Sequence, residues 1–246
     1  MEINELYDIF RQCGKVTTDS RKVAGGELFF ALRGENFDGN LYAAKALEAG
    51  AAYAVVDADS QAVESVGDYI DSSGRSRIIP VPSTLETLQA LARHHRENVR
   101  SPRLPVIGST GTNGKTTTKE LIRSVLAAKF NVKATEGNLN NDIGVPLTIL
   151  SFTSDVEIAV VEMGASHPDD IEKLVKVSEP DYGIITNVGK AHLLGFGSFD
   201  GVKKAKGALY DYVAAHDGEV FVNADDPDLV SMAESRSGMV LIPYGI

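Results

Sequence analysis

The first hundred residues alternate between short β-rich runs and segments with helical spacing. The runs GELFFAL (26–32), AYAVVDA (52–58) and RIIPV (77–81) each predict a strand. LYAAKALEAG lies between the first two runs and ends at Gly50, a residue type that commonly caps helices. Residues 83–98 predict a helix opened by Ser83 and Glu86, which form a capping-box pattern. These residues therefore predict a small α/β domain.

From residue 104 onward the strands become near-continuous apolar runs. PVIGS (105–109) precedes a helical segment at 117–130, and four further runs follow at 156–164, 181–189, 218–224 and 238–245. Such runs suit strands that are buried on both faces, and the helical segments between them indicate a mostly parallel sheet.

The segment VRSPRLP (99–105) has charge and two prolines but no apolar period, so it is the best candidate for a linker. We therefore predict one domain at residues 1–100 and a second at residues 101–246. The chain stops at Ile246, directly after a predicted strand. Because a doubly wound domain rarely ends there, we expect the second domain to be truncated.

Composition narrows the choice of compartment and partner. The formal net charge of −10 repels a phosphate backbone, so nucleic acid is not an expected partner. The single cysteine, Cys13, suits a reducing compartment. The acidic N-terminus lacks the features of a secretory signal, and no run reaches the roughly 18 apolar residues of a membrane span. We expect a cytoplasmic protein without a membrane span, and a monomer.

The segment GSTGTNGKTTTKE (108–120) carries the most specific chemistry in the chain. It places a glycine-rich turn between a predicted strand and a predicted helix, where backbone N–H groups and the helix dipole bind phosphate. Lys115 would reach the terminal phosphates of a nucleoside triphosphate and Thr116 would ligate Mg²⁺. The strict phosphate-loop pattern has glycine at position 109, where this chain has Ser109. The predicted ATP-binding residues are Gly111, Thr112, Asn113, Gly114, Lys115, Thr116 and Thr117.

TGTNGKTT resembles the ATP loop of the Mur ligases, the ATP-dependent amide-forming enzymes of peptidoglycan precursor synthesis. Further segments resemble the same family in the same order: DSRKVAGGELFFALRGENFDG, EGNLNNDIGVPLTIL, VVEMGASHPDDI, TNVGKAHLLGFGS and GVKKAKGALY. The resemblance covers essentially the entire chain. It implies a small α/β domain for a UDP-linked substrate, a parallel-sheet ATP-binding domain, and a Rossmann-like domain that would follow Ile246.

The resemblance also implies a reaction. ATP would phosphorylate the terminal carboxylate of UDP-N-acetylmuramoyl-tripeptide, and D-alanyl-D-alanine would attack the acyl phosphate, releasing phosphate and leaving ADP. The expected cofactor is Mg²⁺, and we expect the product to be used in cell wall biogenesis.

Three further residues are candidates for the metal site. Glu162 ends an apolar strand, where a carboxylate faces the ligand crevice of a parallel sheet, although by itself it could be an ordinary strand-end acid. His192 alone would more often be structural. The resemblance implies that Glu162 serves Mg²⁺, that His192 serves a second Mg²⁺, and that Lys206 carries a carbamate formed from CO₂. With Lys115, the resemblance makes His192 and Lys206 the catalytic residues. Lys203 and Lys204 fit a solvated helix face.

The substrate residues also come from the resemblance. The diphosphate of UDP would contact Ser20 and Arg21, and the turn that follows Arg33 would hold the uracil. Relatives often have histidine where this chain has Asn40, so no role is assigned to Asn40. The muramoyl-peptide part would lie beside an asparagine-rich loop, although such loops often form turns alone. The predicted substrate contacts are Ser20, Arg21, Gly34, Glu35, Asn36, Phe37, Asn138, Asn140 and Asn141.

Three other functions remain open. A phosphate-loop kinase or nucleotide switch would have an aspartate on the strand beside the loop, where this chain has Glu162. A nucleotide- and substrate-binding module without turnover would explain a chain that lacks the amine-binding part of the family. A folylpolyglutamate-type or tripeptide-forming ligase of the same superfamily is a third alternative.

Overall fold

The computed structural model describes residues 1–65, 67–100, 102–189 and 193–246. The chain divides into two compact units, Met1–His95 (unit 1) and Arg96–Ile246 (unit 2). Both units are mixed α/β with parallel main sheets, as the apolar pattern predicts. Among the described residues, none of the helices is both long and apolar enough to cross a membrane.

Unit 1 is built on a four-stranded parallel sheet with the strand order β1-β2-β5-β6. Its elements in chain order are α1 (Ile3–Cys13), β1 (Val16–Thr17), β2 (Leu28–Phe30), β3 (Arg33–Gly34), β4 (Phe37–Asp38), α2 (Ala43–Glu48), β5 (Tyr53–Asp57), β6 (Ile78–Val81) and most of α3 (Thr84–Asn98), whose last three residues belong to unit 2. Strands β3 and β4 form a separate hairpin. The core of this unit packs Ala43, Ala46 and Leu47 of α2 against Phe29 and Val56 of the sheet.

Asn40 joins three parts of unit 1. Its side-chain NH₂ group donates to Asp38 Oδ1 at 2.7 Å and to Asp57 Oδ2 at 2.9 Å, and its oxygen accepts from the Asp57 N–H at 2.8 Å. Asp57 Oδ1 in turn accepts from the Thr84 N–H at the start of α3. Because Asn40 is 3% exposed, these hydrogen bonds satisfy polar groups that water cannot reach.

Unit 2 is built on a six-stranded sheet with the strand order β12-β11-β10-β7-β9-β8, in which all pairs are parallel. Its strands are β7 (Val106–Thr110), β8 (Val132–Ala134), β9 (Ile158–Glu162), β10 (Tyr182–Ile185), β11 (Glu219–Asn223) and β12 (Val240–Tyr244). Its helices are α4 (Lys115–Leu126), α5 (Gly144–Leu150), α6 (Asp170–Ser178), α7 (Leu193–Phe196), α8 (Phe199–Ala215) and α9 (Pro227–Glu234).

Helices cover both faces of the central strand β7. On one face, Ile107 packs in a cluster with Ile122 and Leu126 of α4. On the other face, a Cβ added at Gly108 would meet Leu209 of α8, so the sheet and α8 approach closely there. The chain leaves β7 towards β8 and later returns to β10 on the other side, so the carboxyl end of β7 is a topological switch point.

The last strand departs from the expected burial. β12 reads as an apolar run, yet Val240 is 56% exposed and Tyr244 is 43% exposed. β12 lies at the edge of the sheet, so its apolar side chains meet solvent in this chain. The expectation of burial on both faces is therefore wrong for β12, although it holds for β7 and β9.

Candidate active site

The glycine-rich turn lies between β7 and α4, at the switch point of the sheet. Gly114 precedes α4 with φ 75°, a left-handed conformation that glycine adopts without the strain of a side chain. The helix begins at Lys115, so the free N–H groups of its first turn face the turn that precedes it. This geometry forms an anion site without any further side chain.

The turn is held open by the segment that follows β10. Thr186 Oγ1 donates to the Asn113 carbonyl at 2.7 Å, and Asn187 Nδ2 donates to the same oxygen at 3.0 Å. Asn187 Oδ1 accepts from the Asn113 N–H at 3.0 Å, and Thr112 Oγ1 accepts from the Gly189 N–H at 2.8 Å. A Cβ at Gly111 would collide with Thr186, so only glycine fits there. These bonds fix the shape of the turn before any ligand binds.

Two lysines meet at one carbonyl of the turn. Lys115 Nζ donates to the Gly111 oxygen at 2.9 Å, and Lys206 Nζ of α8 donates to the same oxygen at 3.0 Å. Lys206 is 3% exposed. Burial, and then the nearby charge of Lys115, lowers the pKa of Lys206 from 10.5 to about 8. Lys206 is therefore far more often neutral near neutral pH than an ordinary lysine.

Glu162 lies at the end of β9, under the first turn of α4. Its Oε1 accepts from Thr116 Oγ1 at 3.3 Å and from Asn140 Nδ2 at 2.8 Å. Its Oε2 is buried and has no hydrogen-bond partner among the described residues. A buried carboxylate oxygen without a partner, beside a threonine hydroxyl, fits a hard divalent cation such as Mg²⁺.

Among the described residues, no group of three or more histidine, cysteine or acidic side chains is arranged to hold a metal ion by itself. A cation held by Thr116 and Glu162 would complete its coordination with phosphate oxygens and water, as Mg²⁺ in nucleotide sites does. His192, the predicted ligand of a second Mg²⁺, lies outside the described residues.

A second set of bonds holds the backbone of Glu162. Thr135 Oγ1 accepts from the Glu162 N–H at 2.9 Å, and the Thr135 carbonyl accepts from Lys119 Nζ at 2.6 Å. Lys119 belongs to α4 and is 0% exposed. The helix that carries Thr116 thus also positions the strand end that carries Glu162.

The three predicted asparagines of the loop before α5 have different surroundings. Asn140 donates to Glu162, and a Cβ at Gly164 would crowd its side chain. Asn141 Oδ1 accepts from the Gly144 N–H at 2.8 Å at the start of α5. Asn138 is exposed. The structure therefore brings Asn140 to the metal candidates.

In unit 1, the predicted substrate residues lie at or near the surface. Ser20 begins a 3-10 turn, and the exposed Arg21 makes a forked ion pair with Asp19. Phe37 stacks on Tyr42 with ring centroids 5.4 Å apart, and both rings are exposed. The remaining predicted residues of the turn are Gly34, Glu35 and Asn36 of the β3–β4 hairpin.

Of the remaining loop residues, Thr116 and Thr117 are exposed on the first turn of α4.

Sequence reasoning missed the supporting groups: Thr186, Asn187, Thr135 and Lys119. Their signal is weak because each acts through a backbone contact made by folding, and isolated threonines and asparagines carry no spacing pattern.

Comparison with known proteins agrees with this geometry. Residues 14–96 match the Mur ligase family catalytic domain, and residues 110–246 match the Mur ligase middle domain. A UDP-N-acetylmuramoyl-tripeptide–D-alanyl-D-alanine ligase of Bacillus subtilis is 39% identical over 212 residues, which are 86% of this chain and 44% of that protein. The corresponding ligase of Haemophilus influenzae is 39% identical over 218 residues, covering 87% of this chain and 44% of that protein.

Solved structures give the same result. MurF from Acinetobacter baumannii superposes with a TM-score of 0.82 at 30% identity, covering 99% of this chain and 53% of that one. MurF from Thermotoga maritima in complex with ADP superposes with a TM-score of 0.80 at 32% identity, covering 97% of this chain and 51% of that one. The chain spans about half the length of these relatives. The chain belongs to the Mur ligase family.

Proposed function

We propose that the protein is an ADP-forming ligase that joins D-alanyl-D-alanine to UDP-N-acetylmuramoyl-tripeptide in peptidoglycan precursor synthesis. The observation that carries the proposal is the contact of Thr116 with Glu162 beneath the glycine-rich turn, with Lys206 buried at the same turn. The names of the relatives at 39% identity support the choice of substrates.

The first step transfers a phosphoryl group. An oxygen of the tripeptide carboxylate attacks the γ-phosphorus of ATP, the bond from that phosphorus to the β–γ bridging oxygen breaks, and ADP leaves. The N–H groups at the start of α4 hold the phosphates, and Lys115 moves from the Gly111 carbonyl to the terminal phosphates. These residues position the reactants and neutralise charge that develops on the phosphoryl group.

The second step forms the amide. The amine of D-alanyl-D-alanine attacks the acyl carbon, the bond from carbon to the phosphate oxygen breaks, and the amine loses a proton to solvent or base. Thr116 and Glu162 would hold Mg²⁺, and Asn140 keeps the Glu162 carboxylate oriented. Mg²⁺ supplies charge neutralisation to the phosphate oxygens when it is bound.

Lys206 is proposed as the carbamate-bearing lysine, with His192 as a partner in a second cation site. Carbamate formation needs a neutral amine, and the lowered pKa of Lys206 makes its neutral form more populated near neutral pH than that of an ordinary lysine. With ¹³C-labelled bicarbonate, we expect one carbamate carbon resonance in the wild-type chain and none in Lys206→Met. Lys204→Met is the control, because Lys204 is exposed on the same helix.

Unit 1 is proposed to bind the UDP part, through Ser20, Arg21 and the turn at residues 34–37. Arg21 presents a planar fork that suits phosphate oxygens and is released from Asp19 when it binds them. The exposed ring of Phe37 suits stacking on the uracil base. Residues 101–246, which lie within unit 2, are proposed as the ATP-binding part.

An oxygen-transfer experiment tests the reaction. When the terminal carboxylate of the UDP-linked tripeptide carries ¹⁸O, turnover with ATP and D-alanyl-D-alanine should place one ¹⁸O atom in the released phosphate. ADP should be the other nucleotide product, and Lys115→Ala should abolish both signals. Formation of AMP and pyrophosphate, or phosphate without label, would overturn the proposal.

A further inference from the structure

Ser109 and Glu162 each bury an oxygen that lacks a hydrogen-bond partner among the described residues. These atoms are the Ser109 hydroxyl and Glu162 Oε2. Ser109 is 0% exposed and Glu162 is 1% exposed, so bulk water does not satisfy either atom. Five such atoms occur among the described residues, and these two are the ones that lie at paired positions of neighbouring strands, so one shared role accounts for both.

The strand register places the two side chains together. Ile107 pairs with Val160, and two residues further along the same strands Ser109 pairs with Glu162. Ile107 and Val160 belong to the cluster that packs against α4. Side chains two positions apart on a strand share a face. Both unpaired oxygens therefore lie in the layer between the sheet and α4, at the level of its first turn.

On one side of β7, the residue that pairs with Ser109 is Glu162, which is polar. On the opposite side of β7, the residue that pairs with Ser109 is Ile184, which is apolar and belongs to the same cluster. The phosphate-loop pattern has glycine at this position, and glycine has no hydroxyl to contribute. Ser109 thus adds one donor where the carboxylate has one unused oxygen.

We propose that Ser109 is a positioning residue for Glu162 in the cation-loaded protein. Its hydroxyl donates to Oε2, while Thr116 and Asn140 contact Oε1. A carboxylate held at both oxygens presents its remaining lone pairs in one orientation. Hydrogen bonds of this kind to metal-binding carboxylates tune affinity, and their loss typically lowers it about 10–100-fold. The inference rests on the proposed function of Glu162 as a Mg²⁺ ligand.

A threonine–valine pair at position 109 tests the hydroxyl alone. Ser109→Thr keeps the hydroxyl and Ser109→Val replaces it with a methyl group of similar size, so both variants carry the same packing cost. The probe is Mn²⁺ in the presence of ADP, measured by electron paramagnetic resonance of the free ion. We expect Ser109→Val to bind Mn²⁺ about tenfold more weakly than Ser109→Thr.

Thermal unfolding without metal separates positioning from folding. Because the Ser109 hydroxyl has no hydrogen-bond partner among the described residues, Ser109→Ala should melt no lower than the wild type. Equal Mn²⁺ affinity of the threonine and valine variants would overturn the inference and leave the metal site intact. Absence of Mn²⁺ binding by the wild type would overturn the metal site as well.

Discussion

At the scale of single residues, burial changes what identical side chains can do. Lys206 and Lys204 lie two positions apart on α8, yet one is buried at the Gly111 carbonyl and the other is exposed. The sequence presents both as members of one basic stretch. Only the fold shows which lysine side chain is removed from solvent, because burial is decided by the strands and loops that pack on the helix.

The pKa of Lys206 predicts how stability changes with pH. The folded-state pKa of about 8 lies below the ordinary value of 10.5, so the unfolded chain binds more protons between these values and stability rises across this window. Below pH 8 the buried charge costs about 3 kcal/mol. Without CO₂ or metal, Lys206→Met should therefore be more stable than the wild type at pH 7, with an advantage that disappears by about pH 10.

Urea unfolding across pH 6–10 checks this expectation. Lys204→Met should show no such trend, because Lys204 is exposed. A Lys206→Met advantage that stays constant with pH would show that the ammonium is not the source of the cost.

Neighbouring asparagines in the loop before α5 should respond oppositely to the same change. Asn140→Asp removes the donor to Glu162 Oε1 and places a second carboxylate beside a buried one, so we expect a loss of about 1–3 kcal/mol. Asn141→Asp keeps the oxygen that accepts from the Gly144 N–H and adds negative charge at a helix start. It should stay within about 0.5 kcal/mol of the wild type or exceed it.

The free energies of unfolding at pH 7 of both aspartate variants give the comparison. Equal losses at the two positions would contradict the different contacts. Addition of Mn²⁺ should stabilise Asn141→Asp as it does the wild type, which shows that the metal site remains assembled in this control.

At the scale of elements, the apolar pattern predicted most strands of the two main sheets. The predicted runs contain β2, β5, β6, β9, β10, β11 and β12, and β7 extends one residue past its run, because a strand that packs in a sheet is largely apolar along its length. The pattern missed the two-residue β1 and the three-residue β8 at the sheet edges, where few side chains are buried. It also missed α1, whose amphipathic face carries Leu6, Ile9 and Phe10.

The candidate site, like the strands, could be predicted from the sequence only in part. The phosphate turn could be predicted because its glycines serve local backbone geometry, which the sequence records directly. The contact from Asn140 to Glu162 spans 22 positions, and the contact from Thr186 to Asn113 spans 73. Such contacts depend on strand order, which no local pattern specifies.

Two glycines near the β3–β4 hairpin differ in how closely other backbone approaches them. A Cβ at Gly39 would lie 2.8 Å from the Leu32 nitrogen and 2.9 Å from the Ala31 carbonyl carbon, whereas at Gly34 the nearest atom is 3.9 Å away. Gly39→Ala must therefore displace backbone and should cost about 1–3 kcal/mol, as overpacking does. Gly34→Ala should cost less than about 1 kcal/mol.

Hydrogen exchange of unit 1 amides, with chemical denaturation of the whole chain, measures the two glycine variants. Faster exchange in Gly39→Ala should be concentrated at Ala31 and Leu32, which follow β2, and in the turn at residues 39–42, because these segments carry the contact. Equal stability of both variants would show that the approach of Leu32 to Gly39 is looser than described.

At the scale of the whole molecule, the two units follow the order of the two matched Mur ligase domains. Arginine side chains anchor the start of unit 2. Arg96 is 0% exposed and donates to the Ser178 carbonyl at 3.1 Å and to Asp181 Oδ2 at 2.8 Å. Arg100 donates to the Val156 carbonyl at 2.8 Å. The sequence suggested a linker at 99–105, yet these contacts begin earlier, because a helix can carry anchoring side chains before its last residue.

A pair of fragments tests where the second unit begins. A fragment of residues 94–246 keeps Arg96 and Arg100, whereas a fragment of residues 101–246 lacks both. Removing Arg96 takes away the buried partner of Asp181, while Arg103 remains paired with this carboxylate, so the shorter fragment should be less stable by about 1–3 kcal/mol in urea unfolding. Within the longer fragment, Arg96→Ala should reproduce most of this loss.

The control is Arg123→Ala, which removes a surface arginine paired with Glu120 and should cost less than about 1 kcal/mol. Equal stability of the two fragments would place the start of the unit at residue 101, with Arg96 contributing nothing to its folding.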